Sequence, residues 1–377
     1  MKGSVAEDGG LGWIRGLGWL CGSLFIFAPS LWAAELEHVQ DQDWRQANVA
    51  TVQQHVIPRY QGLSQQATAL ADSTHRFCAK PQKETLLVAQ QAFHGTMDAW
   101  QGIQHIRFGP IETLMRNYSM QFWPDKKNHV GKRLGKLIKS QDVDALQGES
   151  FYQVPVSVRG LPALERLLFD GDAIAQMQLD PYRCQVAVRI ADYVAEMGDD
   201  LIKEWRENMV THFSQAGPGA GFFEDDRDAA LALLKPLTEQ LEVIRDLKLL
   251  RPMGSQQDKA KYKRLESWRS QRSLRNIQLN VAALEELYQG PSSSPSTDRS
   301  FRALLSGTNS AEVAKQFERV QHQLAQFETP IEQSIRTPAG YQQLSVVVQQ
   351  LTELHDQLQK LMAANDIYMG FNSRDGD

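Results

Sequence analysis

Apolar residues recur at three- and four-residue intervals along most of the chain, the spacing that gathers them on one face of an α-helix. Val49, Val52, Val56, Tyr60, Leu63, Ala67, Leu70 and Phe77 trace one such face, and Pro58 within it predicts a kink or a split. A second helix is predicted from Lys83 to Phe108, with Leu86, Phe93, Met97 and Trp100 on its inner stripe and Gly109-Pro110 as its stop. Phe122-Trp123-Pro124 is followed by a polar stretch rich in Lys and Asn, with no helix assigned. Gly160-Leu161-Pro162 then opens a short helix. Asp180-Pro181 provides a cap and a first-turn proline for a long helix through Trp205, whose ladder is Val186, Ile190, Val194, Met197 and Leu201. Further helices are expected near 225–250 and 257–289. A Pro/Ser segment at 291–297 precedes two Gln-rich helices at about 310–335 and 339–364. Val154 to Val158 is the one short strand candidate. With no sustained period-two alternation, the chain reads as all-α, its helices joined by short loops as in bundles. The Gly-Pro-Gly-Ala-Gly run at 217–221 marks the best interior boundary, between 35–216 and 222–377.

The 377 residues are 42% hydrophobic and 23% charged, which excludes a collagen-like chain, a disulfide-dense miniprotein and wholesale disorder. Lys and Arg total 40 against 45 Asp and Glu, a net charge of −5 that lacks the basic footprint of a nucleic-acid binder. Lys2 and Arg15 precede an apolar run from Leu17 to Ala34 that is short and interrupted by Pro29. That layout predicts a cleavable signal peptide over residues 1–34 and export to the periplasm. Cys21 leaves with it. Cys78 and Cys184 remain, and a lone pair in an oxidising compartment predicts a disulfide.

No phosphate loop, nucleophile elbow, zincin motif or Cys-x-x-Cys pair occurs. Three weaker constellations remain. His94, Asp98, Gln101 and His105 share one helical stripe, read as a solvated polar face with divalent-metal ligation as the sharper alternative. Glu165 falls in the first turn of the helix after Gly160, where the helix N-terminus favours an ionised carboxylate. Arg269, Arg272 and Arg275, with Ser273 and Asn276, are expected as a solvated basic face on one helix, with anion binding as the sharper alternative.

Ala99-Trp100, Arg107-Phe108-Gly109-Pro110 and Phe122-Trp123-Pro124-Asp125 together resemble the N-terminal signature of the imelysin family. Gly160 to Glu165, followed by Leu167-Leu168-Phe169, resembles that family's Gly-x-His-x-x-Glu segment, and the ending from Gly370 to Asp377 is also similar to an imelysin ending. The resemblance implies two helical-bundle halves packed around a cleft, and a role in bacterial iron uptake or as a zinc-dependent peptidase. The motif histidine is Pro162 here, which has no ligand atom. By this resemblance His105 would face Glu165 and supply the missing imidazole, the two holding iron or zinc. The binding cleft is expected to gather Trp100, His105, Arg107, Gly160, Glu165, Arg269 and Arg272. The expected partners are iron or an iron complex and an envelope iron-transport protein, with or without contact to the membrane. A helical adaptor module that binds no metal is the third reading.

Overall fold

The computed structural model describes residues 41–291, 299–305 and 308–368. The signal segment 1–34, nearly all of the 291–297 Pro/Ser segment and the ending 370–377 lie outside the described residues.

Ten longer helices carry the architecture. The first apolar ladder is split into α1 (Asp41–Thr51) and α2 (Ile57–Ala79) by one π-helical turn, Val52–Val56. Pro58 explains the split. It has no N–H for the carbonyl four residues back, and the Ile57 N–H bonds Val52 five residues back instead. α3 (Lys83–Ile103) stops five residues before the expected Phe108, because the chain turns at Gln104 to bury both His105 and Ile106.

The Lys-rich stretch after Pro124 is a helix, α4 (His129–Ser140), contrary to the sequence reading. Val130, Leu134 and Ile138 face inward at four-residue spacing while Lys132, Arg133, Lys136 and Lys139 face water. Asp125 caps it, its carboxylate accepting the His129 and Val130 N–H groups at 2.7 and 3.0 Å. α5 (Leu161–Phe169) and α6 (Pro181–Glu204) begin where expected, α6 with Asp180 accepting the Tyr182 N–H at 3.2 Å. Val154 to Val158 is no strand but ends in a 3₁₀ turn, and the described residues contain no strand at all.

Beyond the 217–221 loop, α7 (Asp226–Glu242) runs into a π-helical stretch, Val243–Leu250. The expected 257–289 helix is only half present: α8 spans Ser273–Gln289. Residues 254–272 form a wall-like loop with two 3₁₀ turns, since Ser267 and Gln271 hold left-handed backbone (φ 51° and 53°) that a helix cannot continue. The next expected helix also breaks. α9 (Thr308–Ala325) ends before Thr329-Pro330, where proline disfavours helical backbone in the preceding residue. α10 (Pro338–Ala364) closes the described chain.

α2 packs along both α3 and α6, and α5 closes the same group. α7, α8, α9 and α10 form a second group, and α8 against α3 is the seam between them. α1 reaches over to α7, where Arg45 pairs with Asp226 at 2.8 Å and the Asn48 amide donates to the Asp226 carbonyl at 2.7 Å. Trp205 stacks on Tyr60 with ring centroids 5.7 Å apart, both fully buried. No helix among the described residues is long and apolar enough to cross a membrane.

Cys78 at the end of α2 is bridged to Cys184 in the first turn of α6, closing a loop with a sequence separation of 106. Serine at either position is expected to cost about 2–4 kcal/mol by freeing the unfolded chain. Melting of both single variants with and without reductant checks this: equal melting points for wild type and variants would show the bridge to be energetically idle.

Candidate functional site

Beside the seam lies a cleft of about 650 Å³, within the range of about 300–1,000 Å³ usual for small-molecule sites. Phe93 and Met97 of α3 form its back, Phe122 and Trp123 one wall, the start of α5 another, and the 263–269 loop with Arg251 the last. Gly160 makes the α5 wall possible. A Cβ there would sit 1.8 Å from the Ser119 carbonyl oxygen and 2.6 Å from that of Met120, so any side chain would push the helix start away. Pro162 and Glu165 both line the cleft. Glu165 is buried, and one carboxylate oxygen accepts the Ser270 N–H at 3.0 Å and its hydroxyl at 2.6 Å. Burial raises the Glu165 pKa, and the Ser270 bonds and Arg269 only partly oppose it. The expectation of a first-turn carboxylate biased towards ionisation is corrected: Glu165 lies beyond the first turn of α5 and is buried, and burial moves its pKa up.

Six basic side chains border the cleft, Lys126, Arg166, Arg251, Lys263, Arg264 and Arg269, against two acids, Asp125 and Glu165. Both acids are already engaged, Asp125 as the α4 cap and Glu165 with Ser270. Arg269 pairs with Asp170 at 2.6 Å and lies over the Trp268 ring at 4.2 Å, and Arg166 donates to Asn128 at 2.6 Å. Among the described residues Lys126, Arg251, Lys263 and Arg264 have no ion-pair partner. Arg251 has its pKa lowered by burial and by the charge of Arg264.

Behind Trp123 the seam is polar and buried. Lys248 and Glu266, 1% and 2% exposed, pair at 2.8 Å. Lys248 also donates to Gln101 at 2.8 Å and Asn280 at 2.6 Å, and Glu266 accepts from Gln121 at 3.0 Å and Asn276 at 2.8 Å. Trp100 belongs to the same network, its indole N–H donating to Gln121 at 2.6 Å. Arg272 is buried rather than solvated. It bonds His94, Asn276 and Asp98, and Asp98 also takes Arg275 at 2.7 Å. The arginines are not on one helical face either, since Arg269 and Arg272 precede the first turn of α8.

The stripe expected to be solvated is therefore the inner edge of that seam, with Gln101 and His105 buried and His94 and Asp98 half-buried. His105 makes its bond to His55, Nε2 to Nε2 at 2.9 Å, and no bond joins it to Glu165. His55 sits in the π turn, its Nδ1 3.0 Å from a Glu286 oxygen and 3.2 Å from the Arg59 Nε, while Arg59 pairs with the other Glu286 oxygen at 2.9 Å. With the His55 proton on Nδ1, His105 donates to His55; in either tautomer the His105 Nδ1 is buried without a partner among the described residues. Arg107 is exposed. Of the anticipated residues, the cleft brings together Glu165 and Arg269 on walls that Gly160 permits. Trp100 and Arg272 stand in the network behind, and His105 in a separate pair.

These residues do not fit a resident metal ion. Glu165 offers one carboxylate already bonded to Ser270, Pro162 offers no donor atom, and the neighbouring arginines repel a cation. Among the described residues no three His, Cys, Asp or Glu side chains are grouped to hold one. Lys248, Glu266, Asn280 and His55 were missed in the sequence. Only Lys248 left a signal, a lysine one helical turn after Ile244 on a buried stripe.

The imelysin family model matches residues 56–358. Iron-regulated protein A of Synechococcus elongatus is 22% identical over 297 residues, 77% of each chain. An imelysin-like protein from Psychrobacter arcticum has a similar fold, with a TM-score of 0.71 at 18% identity over 88% of this chain and 98% of the other. An iron-regulated protein A precursor from Parabacteroides distasonis gives a TM-score of 0.71 at 15% identity, covering 87% and 97%.

Lys248→Met should cost about 3–5 kcal/mol, because it strands the Glu266 carboxylate in a buried seam. Urea unfolding measures this, and a loss below 1 kcal/mol would show that water reaches the pair. Burial pushes the His55 pKa down to about 4, and the His105 pKa is also lowered well below its ordinary value. A histidine lowered on folding stabilises the fold above its unfolded pKa of about 6.5, and this contribution is lost as the pH falls towards the folded value. Stability should therefore decline between about pH 6.5 and 4, with the His55 imidazole signal in NMR staying neutral at pH 6. A His55 titration midpoint near 6.5 would contradict the buried pair.

Proposed function

The chain belongs to the imelysin family, and from that premise we propose that it is an exported, periplasmic binding protein of bacterial iron acquisition, seating an iron complex in the cleft beside Pro162 and Glu165. The observation that carries this reading is the cleft itself: a ligand-sized cavity at the family's motif helix, backed by a buried polar seam, with no metal donor set among the described residues. The curated relative in Synechococcus is iron-regulated by name, and the Parabacteroides neighbour is named a precursor, which supports the iron and export parts of the reading. An envelope iron-transport protein is the natural recipient of such a cargo.

Zinc-dependent peptidase activity is the rival reading. Hydrolysis at a zinc ion needs about three protein ligands and an open position for water. Glu165 alone, with proline at the histidine position, cannot supply them.

Two measurements test the proposal together. Purified protein with added zinc should leave reduced insulin chains intact, and a deletion strain should grow poorly only when iron is limiting. Zinc-dependent cleavage that disappears in Glu165→Gln would restore the peptidase. Normal growth of the deletion strain under iron limitation would remove the acquisition role.

A further inference from the structure

We infer that the cleft selects an oligoanion, a small molecule bearing two or more carboxylates or phosphates, and that iron reaches it only as the complex of such an anion. The inference rests on the cleft being the ligand seat, and adds the charge and class of what sits there.

The argument begins with an imbalance. A chain of net charge −5 has concentrated six basic side chains around one cavity that holds two acids. The two acids offset part of that charge, Asp125 acting on Arg251 and Arg166, but they are outnumbered three to one and make no ion pair with the four cations Lys126, Arg251, Lys263 and Arg264 among the described residues. Both Asp125 oxygens accept N–H groups of α4, and Glu165 is held by Ser270. Four of the cations have no carboxylate partner among the described residues, although Asp and Glu outnumber Lys and Arg in the chain.

Such an arrangement carries a cost that something must offset. Arg251 is partly buried and Arg264 exposed at the rim, and each charge opposes the other. A bound anion removes that repulsion. A lone monoanion leaves most of it in place, whereas two or more negative groups can engage Arg251, Arg264, Lys126 and Lys263 together. Guanidinium groups suit this task because their paired N–H donors match carboxylate and phosphate oxygens. Trp123 and Trp268 give the same cavity apolar walls for the ligand's carbon skeleton. A bare metal cation meets the opposite field, repelled by the rim before it reaches either of the two engaged carboxylates. Glu165 is buried and already held by Ser270, and burial moves its pKa up.

The test is calorimetric titration of the full chain with citrate, pyrophosphate, ferric citrate and an uncharged ferric hydroxamate. Citrate or pyrophosphate should bind, more weakly as salt rises, since screening acts over about 8–10 Å. Replacing both Arg251 and Arg264 with glutamine should weaken that binding about tenfold, as expected for two partly exposed charge contacts. Its melting temperature should hold or rise, because the repulsion is gone. Lys136→Gln, on the outer face of α4, should bind as wild type does. Loss of affinity in the double variant accompanied by a lower melting temperature would mean the arginines are structural and would overturn the inference.

Three other outcomes separate this inference from the reading beneath it. Binding of citrate or pyrophosphate but of neither ferric species would keep the oligoanion site and remove the iron cargo. Binding of the uncharged hydroxamate alone would keep an iron-complex seat and overturn the oligoanion. Binding of none of the four would overturn the oligoanion outright.

Discussion

Lys248 and Glu266 are almost wholly withdrawn from water, and moving each charge out of solvent costs several kcal/mol before any partner is counted. The pair persists because nothing is left unsatisfied. An ammonium has three N–H bonds, and those of Lys248 go to Glu266, Gln101 and Asn280. The carboxylate takes Gln121 and Asn276 besides. These groups come from α3, the segment after it, the π-helical end of α7, the 254–272 loop and α8. A shift in any one of the five stretches strands a buried charge. The network is therefore a registration device between the two helix groups, and it is what allows a long loop without regular structure to stand as a fixed wall.

The cleft inherits its character from that wall. Ser270, three residues beyond Ser267, is positioned to hold Glu165, and Arg272 is turned inward to Asp98, which leaves the outward-facing basic residues unmatched. The pKa of Glu165 shows which of two effects counts there. A helix N-terminus favours an ionised carboxylate by about 0.3–1 kcal/mol at exposed positions in its first turn, while burial can move a carboxyl pKa by several units. With Glu165 beyond that turn and buried, desolvation wins. Around the cleft the basic side chains outnumber the acids six to two, so the cations dominate the field.

Legibility in the sequence follows the range of the interactions. α2, α3, α5, α6 and α10 were readable because their apolar ladders, caps and first-turn prolines act over a few residues. α4 was masked by its lysines, although Val130, Leu134 and Ile138 kept the period. The 257–272 stretch failed for a different reason. Its side chains are spaced well enough for a helix, but Glu165 lies 105 positions from Ser270 and Asp98 lies 174 from Arg272, and those long-range bonds decide the backbone. The same holds for the site. Glu165 and Arg269 were visible because a motif or a charge run marked them, whereas His55 and Glu266 carry meaning only once distant helices have met.

Proline at position 162 changes what the motif helix can do without changing the fold around it. In the imelysin pattern a histidine at this place would project an imidazole towards the glutamate one turn on, and the pair would offer nitrogen and oxygen to a metal. Pro162 suits the helix start sterically, since its fixed backbone angle is already helical and its missing N–H has no partner to lose there. It removes the imidazole and one backbone N–H together. The helix end is left with little to give either a cation or an anion directly. Attraction then falls to the arginines and lysines on the opposite wall, whose pull is long-ranged, additive and weakened by salt, unlike the short directional bonds of a metal ligand. If the cleft takes an oligoanion as proposed, the exchange at the motif goes with a shift from coordination towards charge recognition, while Gly160, Glu165 and the buried ion pair keep its shape.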